Sequence, residues 1–409
     1  MTEAPAPPRT SPLNDRHEAL GASFTDFGGW NMPVRYTSDL AEHHAVRQAA
    51  GLFDISHMAE ILVEGPAAAA FLDYVLAGRI STMKVGKAKY SLVLAESGGI
   101  VDDVIVYRTG DQNFLVIANA GNRDAVNAAF EAARAAWGPA PEAATGAAAE
   151  VGAEGEVAAE ETGTRSFAFV AGSTGLRVED VTDDYALIAL QGPRARGILS
   201  STPGVEVSGT PLDALGYYAW TDGTFDGAPL FVARTGYTGE DGYELLIPLA
   251  QAGALWDAVL AAGASDGLVP CGLAARDTLR LEAGMPLYGH ELSRDIVPAQ
   301  AGLGRAVAVD KEEFVGKNGV STAPSDAPVL VGLVSEGRRA GRAGYAVLHG
   351  DDVVGEITSG ALSPTLGHPV AMAFVAPAAS DLGTDLTIDV RGTRIPATVT
   401  ALPFYRRNA

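Results

Sequence analysis

Apolar and polar positions alternate along this chain at two periods, and the switches between them mark its elements. A period of two with β-branched residues predicts strands at 60–64, 89–94, 101–107 and 113–117. A period near 3.6 predicts helices over 39–47, over 67–75 with Pro66 in the first turn, and over 123–137. Strands follow at 187–191, 230–234 and 243–248, with helices at 250–262 and 272–283. Residues 13–50 otherwise read as turn-rich, with Phe27 and Trp30 as aromatic anchors. After Asp326 the chain is strand-dense, punctuated by glycine and poor in helix, as in a small β-barrel or sandwich. The pattern predicts an α+β protein of several domains with antiparallel sheets.

One stretch breaks the pattern. Apart from Arg165, residues 138–166 contain only Ala, Gly, Glu, Pro, Thr, Val and Ser, with six glutamates. Such a segment buries too little apolar surface to offset its ordering entropy, so a disordered acidic insertion is expected. The whole chain of 409 residues carries a net charge of −21, which argues against general nucleic-acid or membrane-surface binding. No apolar run is long enough to span a bilayer, and Met1–Pro12 lacks the apolar segment of a secretory signal, so a cytoplasmic location is expected. The single cysteine, Cys271, excludes an internal disulfide and a multi-thiolate metal site, and no base stands beside it. The histidines lack metal-ligand spacing, and no phosphate-cradling loop opens a βαβ unit.

Three stretches carry candidate chemistry. In Ser97-Gly98-Gly99-Ile100-Val101-Asp102-Asp103-Val104-Ile105-Val106-Tyr107, a Gly-Gly turn feeds a strand that begins with two acids. Alternation puts Val101, Asp103, Ile105 and Tyr107 on one face and Ile100, Asp102, Val104 and Val106 on the other. Either the acids cap a turn in water, or Asp103 lines a partly desolvated pocket that raises its pKa. In Arg234-Thr235-Gly236-Tyr237-Thr238-Gly239-Glu240-Asp241-Gly242-Tyr243-Glu244, the glycines permit close backbone approach to a ligand. Tyr237 suits stacking on a flat heterocycle, and Glu244 suits a paired donor edge; an ordinary hairpin with surface acids is the alternative. On the helix after Cys271, Asp277 and Arg280 are spaced to pair, whereas Arg276 has no acid three or four residues away. Its partner is then tertiary: a structural carboxylate, or a bound anion or carbonyl.

Taken in order, these stretches resemble the glycine cleavage T-proteins, the aminomethyltransferases. The landmarks are DFGGWNMP (26–33), EHHAVR (42–47), GLFDISHM (51–58), GKAKYS (86–91), GGIVDDVIVY (98–107), LQGP (190–193), RTGYTGEDGYEL (234–245), GLAARDTLRLEAGMPLYGHEL (272–292), FVGK (314–317) and GEITSGALSPTLG (355–367). The resemblance implies two α+β domains around a central folate cavity, the first (1–52 and 185–295) interrupted by the second (53–184), and a C-terminal β-barrel (326–409). It implies transfer of a one-carbon unit from the aminomethyl-lipoyl arm of the H-protein to tetrahydrofolate, with release of ammonia, and no metal. By motif it makes Asp103 the catalytic aspartate. It makes Tyr237, Glu244 and Arg276 pterin-site residues, with Met58, Leu62, Tyr90, Asn119 and Tyr217 lining the cavity and Arg406 at its mouth. Expected partners are the lipoylated H-protein and the glycine cleavage complex, not nucleic acid or membrane.

The chain departs from the family pattern in three places: Ala59 stands where glycine is usual, Arg305 where an aromatic is common, and the acidic insertion is extra. Docking of an acidic H-protein would need a local basic surface, and Lys84, Lys87 and Lys89 or Arg338, Arg339 and Arg342 offer one. Two other readings share the scaffold: a folate-dependent demethylase of a small substrate, and a non-enzymatic folate-binding helper. Against the helper, YTGEDGYE lacks that group's cysteine and GGIVDD is intact.

Overall fold

The computed structural model describes residues 7–137, 175–322 and 324–407. The Glu-rich stretch 138–166 lies outside the described residues. Two sheets face each other. One has seven strands in the order Val205–Val207, Trp220–Phe225, Ala228–Ala233, Gly242–Pro248, Tyr185–Gln191, Ala50–Asp54, Leu268–Pro270. The other has five, in the order Ala88–Leu94, Ile100–Arg108, Asn113–Ala118, Ala59–Glu64, Arg177–Asp180. All pairings are antiparallel except that of Leu268–Pro270 with Ala50–Asp54, which is parallel. The chain crosses from the seven-stranded to the five-stranded sheet between Asp54 and Ala59, and returns between Asp180 and Tyr185.

Each sheet is buried on both faces, which explains runs with no polar alternation such as Tyr185–Gln191, buried at every position. Outward-facing Ile188, Leu190, Leu245 and Ile247 pack on Leu255, Trp256 and Val259 of the helix Leu249–Gly263. Outward-facing Ile61, Val63, Val104 and Val106 pack on Phe71 and Leu72 of Ala68–Val75 and on Val126 and Phe130 of Arg123–Trp137. Between the sheets, Phe53, Leu187 and Phe231 meet Leu62, Tyr107, Leu115 and Ile117, joined by Ala275 and Leu279 of the helix Leu273–Glu282. Successive residues of one strand thus serve different cores, as a period of two requires.

The C-terminal part is a closed barrel of six strands: Val329–Ser335, Pro369–Val375, Asp352–Leu362, Ala346–His349, Asp385–Val390 and Thr393–Thr400. Of the barrel or sandwich expected from the pattern, the barrel is found. Segment 13–50 holds more structure than its turn-rich sequence predicts. The helix Asn14–Ala19 is present, and Ser23–Phe27 pairs with Trp30–Arg35 as a hairpin. No helix among the described residues is long and apolar enough to cross a membrane.

Two glycines fix the entry to the strand Ile100–Arg108. Gly98 sits at φ +85°, and a Cβ there would lie 2.5 Å from the Val320 nitrogen. A Cβ on Gly99 would lie 1.7 Å from the Arg294 carbonyl oxygen. The chain is pressed against its neighbours there, and the Ile100 N–H donates to the Ser293 carbonyl at 3.0 Å. Side chains would not fit.

Candidate functional site

At one end of the inter-sheet core the apolar packing opens into a cavity enclosing about 980 Å³ of space, part of it open to solvent. Its walls come from both sheets and from three connections. The five-stranded sheet contributes Tyr90, Asp103, Ile105 and Ile117, and Asn119 follows at the end of its strand. Leu187 and Glu244 come from the seven-stranded sheet. The turn after Ala50–Asp54 supplies His57 and Met58, the Gly-rich turn supplies Tyr237, and the first helical turn after Gly272 supplies Arg276. Met285, Pro286, Leu287 and Tyr288 close one side.

Asp103 lies on the cavity face of its strand, as the alternation predicts. Its Oδ2 accepts from the Tyr90 hydroxyl at 3.1 Å and its Oδ1 from Asn119 Nδ2 at 2.8 Å. Burial pushes its pKa up, and these two hydrogen bonds pull against it. Tyr107, on the same face further along the strand, is buried; its hydroxyl contacts Thr235 Oγ1 at 2.8 Å and donates to Glu244 Oε2 at 3.3 Å. Thr235 also donates to Glu244 Oε2, so two hydroxyls hold that carboxylate at the cavity wall. The Tyr237 hydroxyl donates to the Pro286 carbonyl, which fixes the ring against the closing segment.

Arg276 stacks its guanidinium 4.8 Å from the Tyr237 ring centroid. Its Nη1 is shut off from solvent and has no hydrogen-bond partner among the described residues. Desolvation lowers its pKa, yet an arginine stays charged across the physiological range. His57 is 2 % exposed, packs edge-on to Phe27 at 5.4 Å, and leaves Nδ1 without a partner among the described residues. Burial and then the Arg276 charge lower its pKa to about 4, so the imidazole is neutral at pH 7. The cavity therefore holds a buried cation and a neutral imidazole with unsatisfied polar atoms, opposite a set of carboxylates. Unsatisfied buried donors are costly, and a bound ligand is the usual remedy at such a site.

Asp103, Tyr237, Glu244, Arg276, Met58, Tyr90 and Asn119 thus converge. Three expected residues do not. Leu62 is 4 % exposed but packs with Tyr107 and Leu115 in the inter-sheet core, beyond the cavity's end. Tyr217 is 46 % exposed, and its neighbour Tyr218, in the left-handed region at φ 54°, lines the cavity instead. Arg406 is exposed; Arg407 reaches inward, its guanidinium 5.5 Å from the Tyr217 ring and its Nη1 3.5 Å from Asp241.

Relatives settle the family. The GCVT N-terminal domain model matches residues 13–311, and the glycine cleavage T-protein C-terminal barrel domain model matches residues 329–406. The chain belongs to the glycine cleavage T-proteins, the aminomethyltransferases. It is 50% identical to the aminomethyltransferase of Cutibacterium acnes over 98% of this chain and 99% of that one. The Streptomyces avermitilis aminomethyltransferase is 49% identical over 98% of both. The crystal structure of glycine cleavage system aminomethyltransferase T from Bartonella henselae superposes with a TM-score of 0.80 at 35% identity, covering 97% of this chain and 98% of that one.

Within this T-protein fold, sequence reasoning passed over His57, Tyr218 and the segment Met285–Tyr288. His57 and Met285–Tyr288 fall inside the SHM and GMPLY landmarks, so the signal was present as motif rather than as chemistry. Cys271 is buried with its pKa pushed well up by burial and by Glu42, which makes it inert. Among the described residues, no group of three or more His, Cys, Asp or Glu side chains is arranged to hold a metal ion.

Proposed function

We propose that the inter-sheet cavity binds tetrahydrofolate and that this chain transfers the one-carbon unit of aminomethyl-lipoyl H-protein to it, releasing ammonia. The observation that carries this reading is the pairing, in one cavity, of a desolvated Asp103 with the unsatisfied Arg276 and His57 nitrogens. The residues fit a pterin. Its polar edge needs both donors and acceptors, and Glu244 offers an acceptor while Arg276 Nη1 offers a donor with no other use. Tyr237 and Met58 supply apolar surface for a flat ring.

Folate, when bound, supplies the nitrogens that accept the one-carbon unit. The work of the chain is to orient those nitrogens, exclude water and balance charge. Asp103 is the carboxylate that balances charge. Its Oδ2 stays near the cavity while Oδ1 is held by Asn119, so an anion faces the cationic character that develops as ammonia leaves. Burial raises the pKa of Asp103 above that of a free carboxylate, which makes it a better proton acceptor than a solvated one.

The lipoyl arm must come from outside. Tyr217 is exposed, and the stretch beside it carries the exposed Lys84, Val85 and Lys87, with Lys87 bridged to Ala219. A basic and apolar rim of this kind suits an acidic, lipoylated partner. Lys89 is committed elsewhere, donating to the Arg79 carbonyl at 2.8 Å, and Arg342 donates to the Gly360 carbonyl at 3.0 Å.

The test is ammonia and 5,10-methylenetetrahydrofolate formation from aminomethyl-loaded H-protein, with and without tetrahydrofolate. Folate-dependent formation of both products is expected. Folate binding without turnover on loaded H-protein would favour a demethylase or a binding helper instead.

A further inference from the structure

The strand Ile100–Arg108 carries two adjacent acids, and Asp103 alone of the pair lines the cavity. Asp102 points the other way and is fully buried. Its Oδ2 accepts from the Asn119 backbone N–H at 2.8 Å. Its Oδ1 accepts from Asn119 Nδ2 at 2.8 Å and from Asn122 Nδ2 at 2.6 Å. The same Asn119 Nδ2 lies 2.8 Å from Asp103 Oδ1. A carboxamide nitrogen carries two protons, so each carboxylate takes one. Turning the amide over would aim its oxygen at both acids, so the pair of carboxylates dictates its orientation.

We propose that Asp102 is a positioning residue for Asp103: it locks the Asn119 carboxamide from behind the strand, so that the second N–H of that amide is held on Asp103 Oδ1. This role rests on the aminomethyltransferase reading above. Asn119 ends the strand Asn113–Ala118, and the single turn Ala120–Asn122 that follows brings Asn122 round to the same carboxylate. Three donors on Asp102 leave the Asn119 side chain no free rotation. Asp103 is then left with Oδ1 occupied and with Oδ2 beside Tyr90, which sets how its carboxylate faces the cavity. A buried anion with no cavity contact is expensive to keep, and this arrangement gives it a use. The pair also repels: burial first, and then the Asp103 charge, push Asp102 up to about 7.

The experiment compares the wild type, Asp102→Asn, Asn119→Ala and the double variant with loaded H-protein and tetrahydrofolate, alongside thermal stability. Asp102→Asn is expected to lower kcat between roughly tenfold and a hundredfold, the worth of one hydrogen bond to a charged group, with KM for folate within about twofold. The double variant should be no slower than Asn119→Ala alone, because both changes release the same amide. A kcat for folded Asp102→Asn within about threefold of wild type, or losses that multiply in the double variant, would overturn the proposal. Should Asp102→Asn not fold, Asn122→Ala removes one donor and leaves both acids; a smaller fall in kcat at unchanged KM is expected, and no fall counts against the proposal. NMR of the Asn119 side-chain amide reads the lock in the protein alone. Both protons should be hydrogen-bonded in the wild type, and the one facing Asp103 should lose its shift in Asp102→Asn; an unchanged spectrum contradicts the lock. A wild type without folate-dependent turnover but with that spectral change would sink the functional reading and leave the lock standing.

Discussion

Replacing Glu282 by Gln should uncouple the barrel from the helix that carries Arg276, at a cost that the structure lets one work out. Glu282 ends the helix Leu273–Glu282 and is fully buried. Its Oε2 accepts from Arg47 Nη2 at 2.8 Å and from Thr365 Oγ1 at 2.7 Å, with His43 Nε2 3.3 Å away. Its Oε1 accepts from Ser363 Oγ and from the Thr365 backbone N–H at 3.0 Å. Ser363 and Thr365 follow the barrel strand Asp352–Leu362, so one carboxylate ties the barrel to two helices. Burial alone would raise its pKa, but His43, Ser363 and Arg47 outweigh it and bring it from 4.5 down to about 2. That gap corresponds to about 3 kcal/mol of stability held by the ionised form. The folded pKa is the lower one, so this stability is complete above pH 4.5 and drains away as pH falls towards 2. Gln keeps the shape but loses the charge, leaving Arg47 to Glu240 at 2.9 Å. Urea unfolding of wild type and Glu282→Gln at pH 7, 4.5 and 3 should give a difference of about 3 kcal/mol that narrows only below 4.5. A difference under about 1 kcal/mol at pH 7, or one undiminished at pH 3, would refute the reasoning.

Arg276→Met should weaken tetrahydrofolate binding by roughly tenfold or more while raising the melting temperature, since a buried donor without a partner is removed; calorimetry measures both, and weaker binding with lower stability would contradict it. Gly99→Ala should destabilise the protein by about 3 kcal/mol or more, because a Cβ would collide with a backbone carbonyl rather than a flexible side chain, and soluble yield with denaturant midpoint reads this directly. Activity should fall as pH drops through about 7, where Asp102 takes up a proton beside the charged Asp103. For stability the sign is opposite to that of Glu282: with its folded pKa above 3.8, Asp102 contributes most below 3.8 and loses that contribution as pH rises through about 7.

Much of this was legible in the chain because its strands and helices follow their periods. Alternation alone put Asp103 with Ile105 and Tyr107 on one face, though not which way that face points, and 3.6-residue spacing marked Arg123–Trp137 to the residue. The pairing of Asp277 with Arg280, at 2.8 Å, followed from the helix as well. What was hidden has physical reasons. Asn14–Ala19 is only six residues long and lacks a capping side chain, so nothing local announces it. Ala50–Asp54 is buried at every position, which erases the alternation that marks a half-buried strand. Leu62 lies on the correct face of its strand, yet distance along that face decides between cavity and core. The choice between Tyr217 and Tyr218 turns on a left-handed backbone at φ 54° on a non-glycine residue, a strain that no local pattern signals. The Arg406 and Arg407 pair differ in the same way, through the path of the tail across Asp241.

The most direct test of the central claim is single-turnover formation of methylenetetrahydrofolate from aminomethyl-loaded H-protein by the wild type and by Asp103→Asn. The substitution preserves shape and removes one charge. A fall of roughly a hundredfold or more in the rate, with folate affinity within about threefold of wild type, is predicted for a carboxylate that acts on the reacting nitrogens. A rate within about threefold of wild type would mean that the cavity's acid is structural and that the chemistry resides elsewhere.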